Sequence, residues 1–431
     1  MSVNLVKIIG AGLAGSEAAL VLANAGVKVK LYEMRPKKQT LVHNTGNAAE
    51  LVCSNSFKST KKNSAAGMLK AELAALDSPL YKIALQTKID AGMALAVDRD
   101  LFSKAVTELI EDSDNIELVR EEAKGLNPKE LTIIASGPLT SDNLSDSLQK
   151  ITGDEELAFY DAAAPIVMAD SIDTNIIFSQ DRYDEGSGDY LNAPMNKSEY
   201  TKFIEALISA KCVIKKDFET KDLFQACQPV EEVAKSGFDA PRYGAMKPVG
   251  LTDPRTGKRP YAVVQLRAEN KEKTAYNLVG FQTNLTFSEQ KCIFRMIPGL
   301  ENAEFARYGV MHRNTFINAP KLLNTNLKLK GTNIYVAGQL SGTEGYLEAV
   351  RSGHQAALSI LGCEVPPQET AFGALLDYAT NPDTKNYQPM HVNFGIVPPI
   401  KEKNKKLRYE KYASRGAAAM EDYVRKIRTT N

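Results

Sequence analysis

The sequence predicts an α/β fold in which a Rossmann-like, dinucleotide-binding domain is interrupted by a smaller α+β domain. Three observations predict it. A strand, a glycine-rich turn and a helix open the chain, the same three elements recur after Thr332, and the region between them has short strands and hairpin-like turns. Because the 431 residues exceed the size at which a single hydrophobic core stops growing, about 250–300 residues, two packed units are expected.

The first unit is a βαβ motif built around Gly10-x-Gly12-x-x-Gly15, with its strands and helix expected over residues 5–9, 27–32 and 16–25. In such a motif one glycine makes the tight turn, one lets the backbone approach a phosphate, and one allows close packing of helix and strand. The helix N-terminus offers unpaired N–H groups to an anion. Glu33, at the end of the second strand, occupies the position where a carboxylate accepts hydrogen bonds from an adenosine ribose. The contacts expected to a dinucleotide come from Gly10, Ala11, Gly12, Leu13, Ala14, Gly15, Glu33 and Arg35.

Two later turns complete the expected site. A strand over residues 131–135 ends at Ser136-Gly137-Pro138, where a doubly wound sheet places a ligand-facing loop. A strand over residues 333–337 leads into a glycine-rich turn and an alanine-rich helix that extends through residue 361. The N-terminus of that helix suits the ribityl chain or the electron-rich pyrimidine edge of a flavin, whose reduced form carries negative charge. We therefore predict an FAD-binding domain of the glutathione-reductase type, with further contacts from Gly137, Gly338, Gln339, Gly342, Gly345 and Tyr346.

The change of pattern divides the chain into three segments. Residues 1–158 are expected to form the first part of the FAD-binding domain, residues 159–321 the inserted substrate-binding domain, and residues 322–431 the second part of the FAD-binding domain. The last segment carries a basic stretch, with cations at Lys401, Lys403, Lys405, Lys406, Arg408, Lys411 and Arg415. Two interpretations of this stretch stay open, a solvated helix face and an RNA-contacting patch.

Composition limits the class of protein and the kind of site. Hydrophobic residues make up 43% and charged residues 24%, and no apolar run approaches the ~20 residues that span a bilayer. The first residues enter a strand without a basic leader or a cleavage site, so a cytoplasmic protein is expected. The five cysteines and four histidines lack the spacing of a disulfide framework or a metal site, so no metal is expected. The net charge of +1 does not by itself favour a nucleic-acid partner.

Long, non-repetitive strings of residues are spread over essentially the whole chain. They include Arg242-Tyr243-Gly244-Ala245-Met246-Lys247-Pro248-Val249-Gly250-Leu251 and Tyr308-Gly309-Val310-Met311-His312-Arg313-Asn314-Thr315, and others lie at residues 32–36, 50–56, 94–99, 136–141, 295–304 and 389–395. Together these strings resemble the folate- and FAD-dependent tRNA uracil-5-methyltransferases of bacteria. The resemblance is far more specific than the glycine turn, which other α/β proteins also contain.

The resemblance implies methyl transfer to carbon 5 of a uridine in RNA, most directly the T-loop uridine of tRNA. Methylenetetrahydrofolate would supply the carbon and reduced FAD the electrons, with NADH or NADPH recharging the flavin. Carbon 5 of uracil is a poor nucleophile until a thiolate adds to carbon 6, and a base must later remove the proton from carbon 5. The resemblance assigns the nucleophile to Cys227 and the proton abstraction to Cys53.

The other three cysteines are expected to be buried structural thiols, because free cysteine usually behaves as a small hydrophobic residue. Cys212 lies in an apolar run, Cys363 follows a helix, and Cys292 stands where the family more often has arginine. In contrast, Cys53 lies among polar residues and Cys227 just before a proline turn, which are poor environments for a core residue.

Two positions depart from the family pattern. Ala193 stands where the family commonly has cysteine, and Asn284 stands where histidine is commoner. These departures leave open a target in 23S ribosomal RNA with the same chemistry.

Several charged residues are candidates for contacts to substrate. Arg99 and Lys247 are candidates for holding a phosphate, the folate glutamate tail or the RNA backbone, and His312-Arg313 for positioning the target base. Ordinary structural ion pairs are an equally good interpretation of each.

Two alternatives of other classes also stay open, because one fold hosts many reactions. An FAD-dependent oxidoreductase acting on a small molecule would need neither Cys227 nor the basic stretch. A flavin-bearing RNA-binding or assembly protein would have no catalytic thiol. The sequence does not imply an obligate protein partner.

Overall fold

The computed structural model describes residues 3–40, 42–153, 157–162, 164–184, 188–213, 228–309, 311–384 and 387–430. The strands are β1 (Leu5–Ile9), β2 (Lys28–Tyr32), β3 (Ser56–Ser59), β4 (Lys88–Ile89), β5 (Ala94–Val97), β6 (Ile116–Val119), β7 (Thr132–Ile134), β8 (Leu157–Ala162), β9 (Ile166–Met168), β10 (Phe178–Ser179), β11 (Tyr190–Met195), β12 (Ala262–Ala268), β13 (Ala275–Leu278), β14 (Phe305–Arg307), β15 (Met311–Phe316) and β16 (Ile334–Val336). The helices are α1 (Leu13–Asn24), α2 (Ala65–Ala75), α3 (Pro79–Gln86), α4 (Arg99–Glu111), α5 (Asp142–Thr152), α6 (Lys197–Ser209), α7 (Val230–Ser236), α8 (Phe287–Phe294), α9 (Ala319–Leu322), α10 (Tyr346–Ile360), α11 (Ala371–Thr380) and α12 (Lys405–Thr430).

A five-stranded parallel sheet takes its strands from both ends of the chain, in the order β16-β7-β1-β2-β6. Its central strand β1 pairs with β2 through Ile8 and Leu31 and with β7 through Ile8 and Ile133. All three side chains are fully buried, as expected for a parallel sheet covered on both faces. The predicted α/β domain that is interrupted along the chain is therefore confirmed.

Helices α1 and α10 cross in direct backbone contact on this sheet. A Cβ atom at Gly353 of α10 would lie 2.0 Å from the carbonyl oxygen of Ala14 in α1, so only glycine allows this approach. Both helices begin just after a parallel strand ends, α1 after β1 and α10 after β16. The close crossing therefore brings two helix N-termini to the carboxyl edge of one sheet, where ligands bind in such folds.

The region between the two halves forms a six-stranded antiparallel sheet, in the order β10-β11-β12-β13-β9-β14. Helices α6 and α8 and a neighbouring loop cover it with fully buried aromatic side chains, among them Tyr200, Phe203, Phe281 and Phe294. The chain leaves and re-enters the first domain through β8 and β15, which pair antiparallel. The boundaries at residues 158 and 321 stay predictions.

Most of the basic stretch of the C-terminal segment lies in α12, which packs on α2 through Gly416 and a small cluster around Met420 and Tyr423. Most of its cations are exposed, and Lys411 pairs with Glu402. No helix in the described part of the chain combines the length and apolar character needed to cross a membrane.

The three cysteines expected in the core differ in burial. Cys363 is buried, and Cys212 is only half-buried in an isolated β-bridge with Leu285. The prediction for Cys292 is wrong, because it lies on the solvent face of the short helix α8. The inward face of α8 is already filled by Ile293 and Phe294.

Candidate functional site

A continuous cleft runs along the carboxyl edge of the parallel sheet. Its narrower section, about 580 Å³, extends from Gly10 to Glu33 and Glu122. Its wider section, about 1440 Å³, extends to Cys53 and Tyr346. Both sections share lining residues, namely Gly12, His43, Ser136 and Leu139. The cleft thus has room for an elongated ligand whose middle passes Gly12.

Two helix N-termini point into the wider section. Gly12 is the N-cap of α1 and Gly345 the N-cap of α10, and neither residue can cap the helix with a side chain. The first N–H groups of each helix therefore need outside acceptors, and the helix dipoles favour negative charge there. This edge of the cleft is suited to a pyrophosphate and to an electron-rich ring.

The three glycines of the turn differ in whether the protein leaves room for a side chain. Gly10 has φ +100°, and a Cβ there would lie 2.5 Å from the carbonyl oxygen of Ala135. A Cβ at Gly15 would lie 1.9 Å from the carbonyl oxygen of Gly10. At Gly12 the same atom would meet nothing within 4 Å, because it would project into the cleft. Gly10 and Gly15 thus shape the turn, whereas Gly12 leaves space for a ligand.

Glu33 is held at the narrow end of the cleft as a buried carboxylate. It accepts hydrogen bonds from the Ala11 N–H at 3.1 Å and from the Arg35 N–H and Nε at 3.0 and 2.9 Å. Burial raises the pKa of Glu33, but the hydrogen bonds and charge of Arg35 outweigh it, so the net shift is downward. An ionised carboxylate here is a strong acceptor for ribose hydroxyls.

Arg35 itself is engaged by the protein. Besides Glu33 it contacts the Glu50 carboxylate at 3.0 Å and the carbonyl oxygens of Thr45 and Asn47. Arg35 therefore orients the Glu33 carboxylate and holds the loop that contains Thr45 and Asn47. A direct contact of Arg35 with a cofactor stays a prediction.

Gln339 provides an independent indication of the ligand. Its side-chain Nε2 is buried, lines the wider section, and has no hydrogen-bond partner among the described residues. An unpaired buried donor is costly, so a ligand acceptor is expected beside it. The pyrimidine edge of a flavin carries such acceptors. The glycine turn, Glu33, the two helix N-termini and Gln339 together fit FAD.

The loop that carries Cys53 is fixed from four directions. The hydroxyl oxygen of Tyr346 accepts hydrogen bonds from the N–H groups of Cys53 and Ser54, at 2.9 and 3.0 Å. Two partly buried guanidinium groups hold the carbonyls before it: Arg99 donates to Leu51, and Arg307 to Val52 at 2.8 Å. Arg267 anchors the far side through Ser54 Oγ and Asn55 Oδ1, at 2.8 and 2.9 Å. The backbone of Cys53 is therefore rigidly placed in the wall of the wider section.

Removing the hydroxyl of Tyr346 tests this anchoring. Tyr346→Phe leaves two partly buried N–H groups without their acceptor, so we expect the free energy of unfolding to fall by about 1–3 kcal/mol. Chemical denaturation of the purified protein measures the change. Tyr243→Phe is the control, because that side chain is 84% exposed. Equal stability of the two variants would contradict the anchoring role.

Three of the residues around this loop come from the inserted domain and were missed by the sequence reasoning. Arg267 lies in β12, Glu269 follows it, and Arg307 ends β14. Glu269 forms an ion pair with Arg99 at 2.8 Å across the two domains. Burial lowers the pKa of Arg307, and the neighbouring charge of Arg99 lowers it further. Charged residues in or beside an otherwise apolar strand were the available signal.

A second polar cluster borders the wider section where α10 begins. Lys58, at φ +64°, lines the cleft and contacts the buried carboxylate of Glu348 at 3.2 Å. Glu348 also accepts a hydrogen bond from the Val392 N–H at 3.3 Å. Burial lowers the pKa of Lys70 to about 8, and burial followed by the charge of Lys58 lowers the pKa of His391. No sequence motif pointed to this cluster.

Cys227 lies outside the described residues, which begin again at Gln228. The Val230 N–H donates to the carbonyl oxygen of Gln282 at 2.7 Å, and Gln282 lines the wider section. The fully buried carboxylate of Glu231 accepts hydrogen bonds from Thr283 Oγ1 at 2.9 Å and from the Asn284 N–H at 2.6 Å. The start of α7 is thus tied to a loop in the cleft wall.

Glu231 makes stability depend on pH. Burial raises its pKa to about 7, above its ordinary value of 4.5, despite the hydrogen bonds from Asn284 and Thr283. The protonated form of Glu231 therefore makes its full contribution to the free energy of unfolding below about pH 4.5, and this contribution is lost as the pH rises through 7. From pH 5 to 8 we expect Glu231→Gln to lose less stability than the parent protein, by up to about 3 kcal/mol. Chemical denaturation of both proteins across this pH range measures the difference, and Glu232→Gln is the control. If the stability of Glu231→Gln and of the parent changed equally with pH, the raised pKa of Glu231 would be contradicted.

Most of the predicted contacts to a dinucleotide line the cleft, namely Gly10, Gly12, Leu13, Ala14, Glu33, Arg35, Gly137, Gly338, Gln339, Gly345 and Tyr346. Ala11 acts through its N–H on Glu33, Gly15 packs under the turn, and Gly342 packs against Tyr387. Arg99 has the structural role of an ion pair, and the Lys247 carbonyl accepts from Arg182. His312 and Arg313 lie in β15.

Comparisons with known proteins identify the family of this chain. The sequence model of the family described as Glucose inhibited division protein A matches residues 5–363. The methylenetetrahydrofolate–tRNA-(uracil-5-)-methyltransferase TrmFO of Acetivibrio thermocellus is 51% identical, over 98% of this chain and 99% of that protein. The TrmFO of Bacillus subtilis is 49% identical, over 99% of this chain and all of that protein.

A solved structure shows the same fold. GidA of Aquifex aeolicus superposes with a TM-score of 0.70 over 97% of this chain and 73% of that chain, at 17% sequence identity. The superposition and the sequence matches both extend through the parallel sheet and the inserted domain. The chain therefore belongs to the Glucose inhibited division protein A family and to the methylenetetrahydrofolate–tRNA-(uracil-5-)-methyltransferases named TrmFO.

Proposed function

We propose that this protein methylates carbon 5 of a uridine in tRNA, in the cytoplasm, with methylenetetrahydrofolate as carbon donor, FAD as cofactor and NADH or NADPH as reductant. The relatives named above carry this activity in their names. The single observation that carries the proposal is the fixed Cys53 loop, which places a thiol-bearing residue in the wall of the FAD-shaped cleft, braced by the inserted domain.

FAD supplies, when bound, the electrons that reduce the transferred carbon to a methyl group. The chain's own residues bind and orient it. Glu33 would hold the adenosine ribose, the N-termini of α1 and α10 would attract the phosphates and the ring system, and Gln339 would donate a hydrogen bond to the ring. The apolar part of the wider section, including Val52, Pro138 and Leu139, excludes water from the reacting groups.

Cys227 acts as the nucleophile in this proposal. Its thiolate forms a bond to carbon 6 of the uracil, and the electron pair of the C5–C6 double bond makes carbon 5 able to attack the one-carbon unit. The Cys53 thiolate then takes the proton from carbon 5, and the bond between the one-carbon unit and its carrier nitrogen breaks, which leaves a methylene group on carbon 5. A hydride equivalent, for which FAD would be the source, turns this methylene into the methyl group, and elimination of the S–C6 bond regenerates the Cys227 thiolate. The tie between Val230 and Gln282 supports this assignment, because it anchors the chain just after Cys227 to the cleft wall.

The two departures from the family pattern do not favour a different RNA. Ala193 is fully buried in β11, where it pairs with Val264, and Asn284 is buried and donates its backbone N–H to Glu231. Neither residue lines the cleft. A 23S ribosomal RNA target is therefore an outcome of the test and carries no separate support.

The test is direct methylation. The purified protein is incubated with FAD, methylenetetrahydrofolate, NADH or NADPH, and either unmodified tRNA or 23S ribosomal RNA fragments, and 5-methyluridine is mapped. We expect one modified uridine, in tRNA. Methylation of ribosomal RNA alone would show that the target is ribosomal RNA. Absence of methylation in both RNAs would overturn the proposed function.

A further inference from the structure

Three aromatic rings stack at the surface of the inserted domain. The ring centroids of Phe287 and Tyr308 are 4.9 Å apart at an interplanar angle of 16°, and those of Tyr308 and Phe305 are 5.0 Å apart at 18°. Phe287, the first residue of α8, is 53% exposed. We call these three residues the aromatic stack. Its outer ring offers a large apolar surface to solvent, although the helix already buries Ile293 and Phe294 on its inner side.

The aromatic stack is connected to the cleft from two sides. Arg307, between Phe305 and Tyr308 in sequence, reaches the Val52 carbonyl at 2.8 Å, immediately before Cys53. On the other side, Gln282 lines the wider section of the cleft and precedes Phe287 by five residues, a chain length of at most ~18 Å. The stack therefore lies no more than ~18 Å along the chain from the cleft wall at Gln282, and Arg307 connects it to the Cys53 loop.

Positive charge accompanies the exposed ring. Lys291 lies one helical turn after Phe287, on the same side of α8, and is exposed. Lys211 is also exposed. Its backbone carbonyl accepts a hydrogen bond from the N–H of Thr286, the residue before Phe287. Glu289 is the acidic residue of this helix, and its backbone N–H bonds to Thr286. An exposed aromatic face with lysines in its neighbourhood is a combination that binds an unstacked nucleotide, with the ring on the base and cations on the phosphates.

We propose that the exposed face of Phe287 stacks on a nucleobase next to the target uridine. This inference rests on the proposed function and identifies a contact that recognises its RNA. Addition of a thiolate to carbon 6 requires open access to the face of the uracil, so the target must leave the stack of the folded RNA. The neighbouring base then loses a stacking partner, which Phe287 replaces. Because stacking on an aromatic ring tolerates every base, this contact contributes affinity and placement, while other groups read the sequence.

A tryptophan substitution gives a direct readout, because the chain contains no tryptophan. Phe287→Trp enzyme, loaded with FAD, is titrated with unmodified tRNA, and its tryptophan emission is expected to be quenched with saturation. Leu109→Trp is the matched control, since Leu109 is 42% exposed on α4 of the other domain, and its emission is expected to change little. Equal quenching of both variants would overturn the proposal.

Binding measurements separate stacking from charge. Phe287→Ala is expected to weaken tRNA binding by about fivefold to a hundredfold, with an unchanged slope of log Kd against log salt concentration. Lys291→Ala is expected to reduce that slope. Phe287→Leu should resemble Phe287→Ala, and Phe287→Trp should bind as tightly as the parent. FAD content and melting temperature of each variant report whether it has folded.

The failure of this inference is distinguishable from failure of the proposed function. If the parent methylates tRNA while Phe287→Ala binds it equally well, the inference is wrong and the function stands. If Phe287→Leu also binds like the parent, apolar contact rather than stacking is sufficient, and the inference is again overturned. If the parent methylates no RNA, the proposed function fails, whereas the quenching titration still tests the contact with RNA.

Discussion

Cys227→Ala is expected to abolish 5-methyluridine formation, lowering the rate of methyl transfer by at least about a thousandfold, as for loss of other covalent nucleophiles. Without the thiolate no bond forms at carbon 6, and carbon 5 of the uracil stays a poor nucleophile. The same variant should fail to form a covalent adduct with tRNA that carries 5-fluorouridine at the target. A denaturing gel shift of labelled RNA measures the adduct, and 5-methyluridine analysis measures turnover.

Two other thiols provide matched controls for this prediction. Cys212 is half-buried in the same domain, and Cys292 is exposed on α8, so each tests whether any nearby or accessible thiol traps the RNA. Cys212→Ala and Cys292→Ala are expected to form the adduct like the parent. An adduct that persists in Cys227→Ala and disappears in either control would show that the nucleophile has been assigned to the wrong residue.

Cys53→Ala should behave differently from Cys227→Ala. If Cys53 removes the proton from carbon 5, its loss blocks a step after the S–C6 bond has formed. We therefore expect Cys53→Ala to retain the covalent adduct while turnover is lost.

Local patterns in the sequence predicted the parts of the site that one segment builds alone. The turn at Gly10, Gly12 and Gly15 and the carboxylate of Glu33 follow from residues close in sequence, and in the structure Gly10, Gly12 and Glu33 line one cleft, with Gly15 packed under the turn. The second helix N-terminus, at Gly345, was predictable for the same reason, since strand, glycine turn and helix form a contiguous unit. Repetition of this unit at both ends of the chain indicated the interrupted domain.

The parts that come from distant segments were not predictable in this way. The Cys53 loop is held by Arg99, Arg267, Arg307 and Tyr346, which lie on four different elements in two domains. A single sequence does not show which buried arginine meets which carbonyl, because the pairing is set by the packing of the two sheets. The same reason explains Arg99: its ion-pair partner, Glu269, lies in the other domain, and a contact of Arg99 with a phosphate stays a prediction.

The sequence pattern also did not predict which residues of a short helix are buried. Helix α8 has eight residues, too few for its apolar positions to define which side faces the core. Cys292 was therefore misassigned, and Phe287 was not singled out. Its role became visible only with the rings of Tyr308 and Phe305 beside it.

Gly12→Ala is expected to remove FAD from a protein that remains folded. The φ of Gly12 is −74°, which alanine adopts without strain, and the added methyl group would meet no protein atom within 4 Å. The methyl group would instead occupy the space through which the pyrophosphate approaches the N-terminus of α1. Each hydrogen bond to a charged phosphate that is lost should weaken FAD binding by about tenfold to a hundredfold. Flavin absorbance after gel filtration and titration of the apoprotein with FAD measure the effect.

Two further glycines make the result specific. Gly125→Ala is the matched control, because Gly125 is exposed, has no neighbour within 4 Å of the added atom and does not line the cleft; FAD binding should be unchanged. Gly15→Ala should lower FAD binding and stability together, because its methyl group would lie 1.9 Å from the Gly10 carbonyl oxygen and force the turn apart. The distinction between the two turn variants depends on where each added atom points, into the cleft at Gly12 and into the protein at Gly15. Full FAD content in Gly12→Ala would mean that the pyrophosphate does not pass this turn, and the orientation proposed for the cofactor would have to be abandoned.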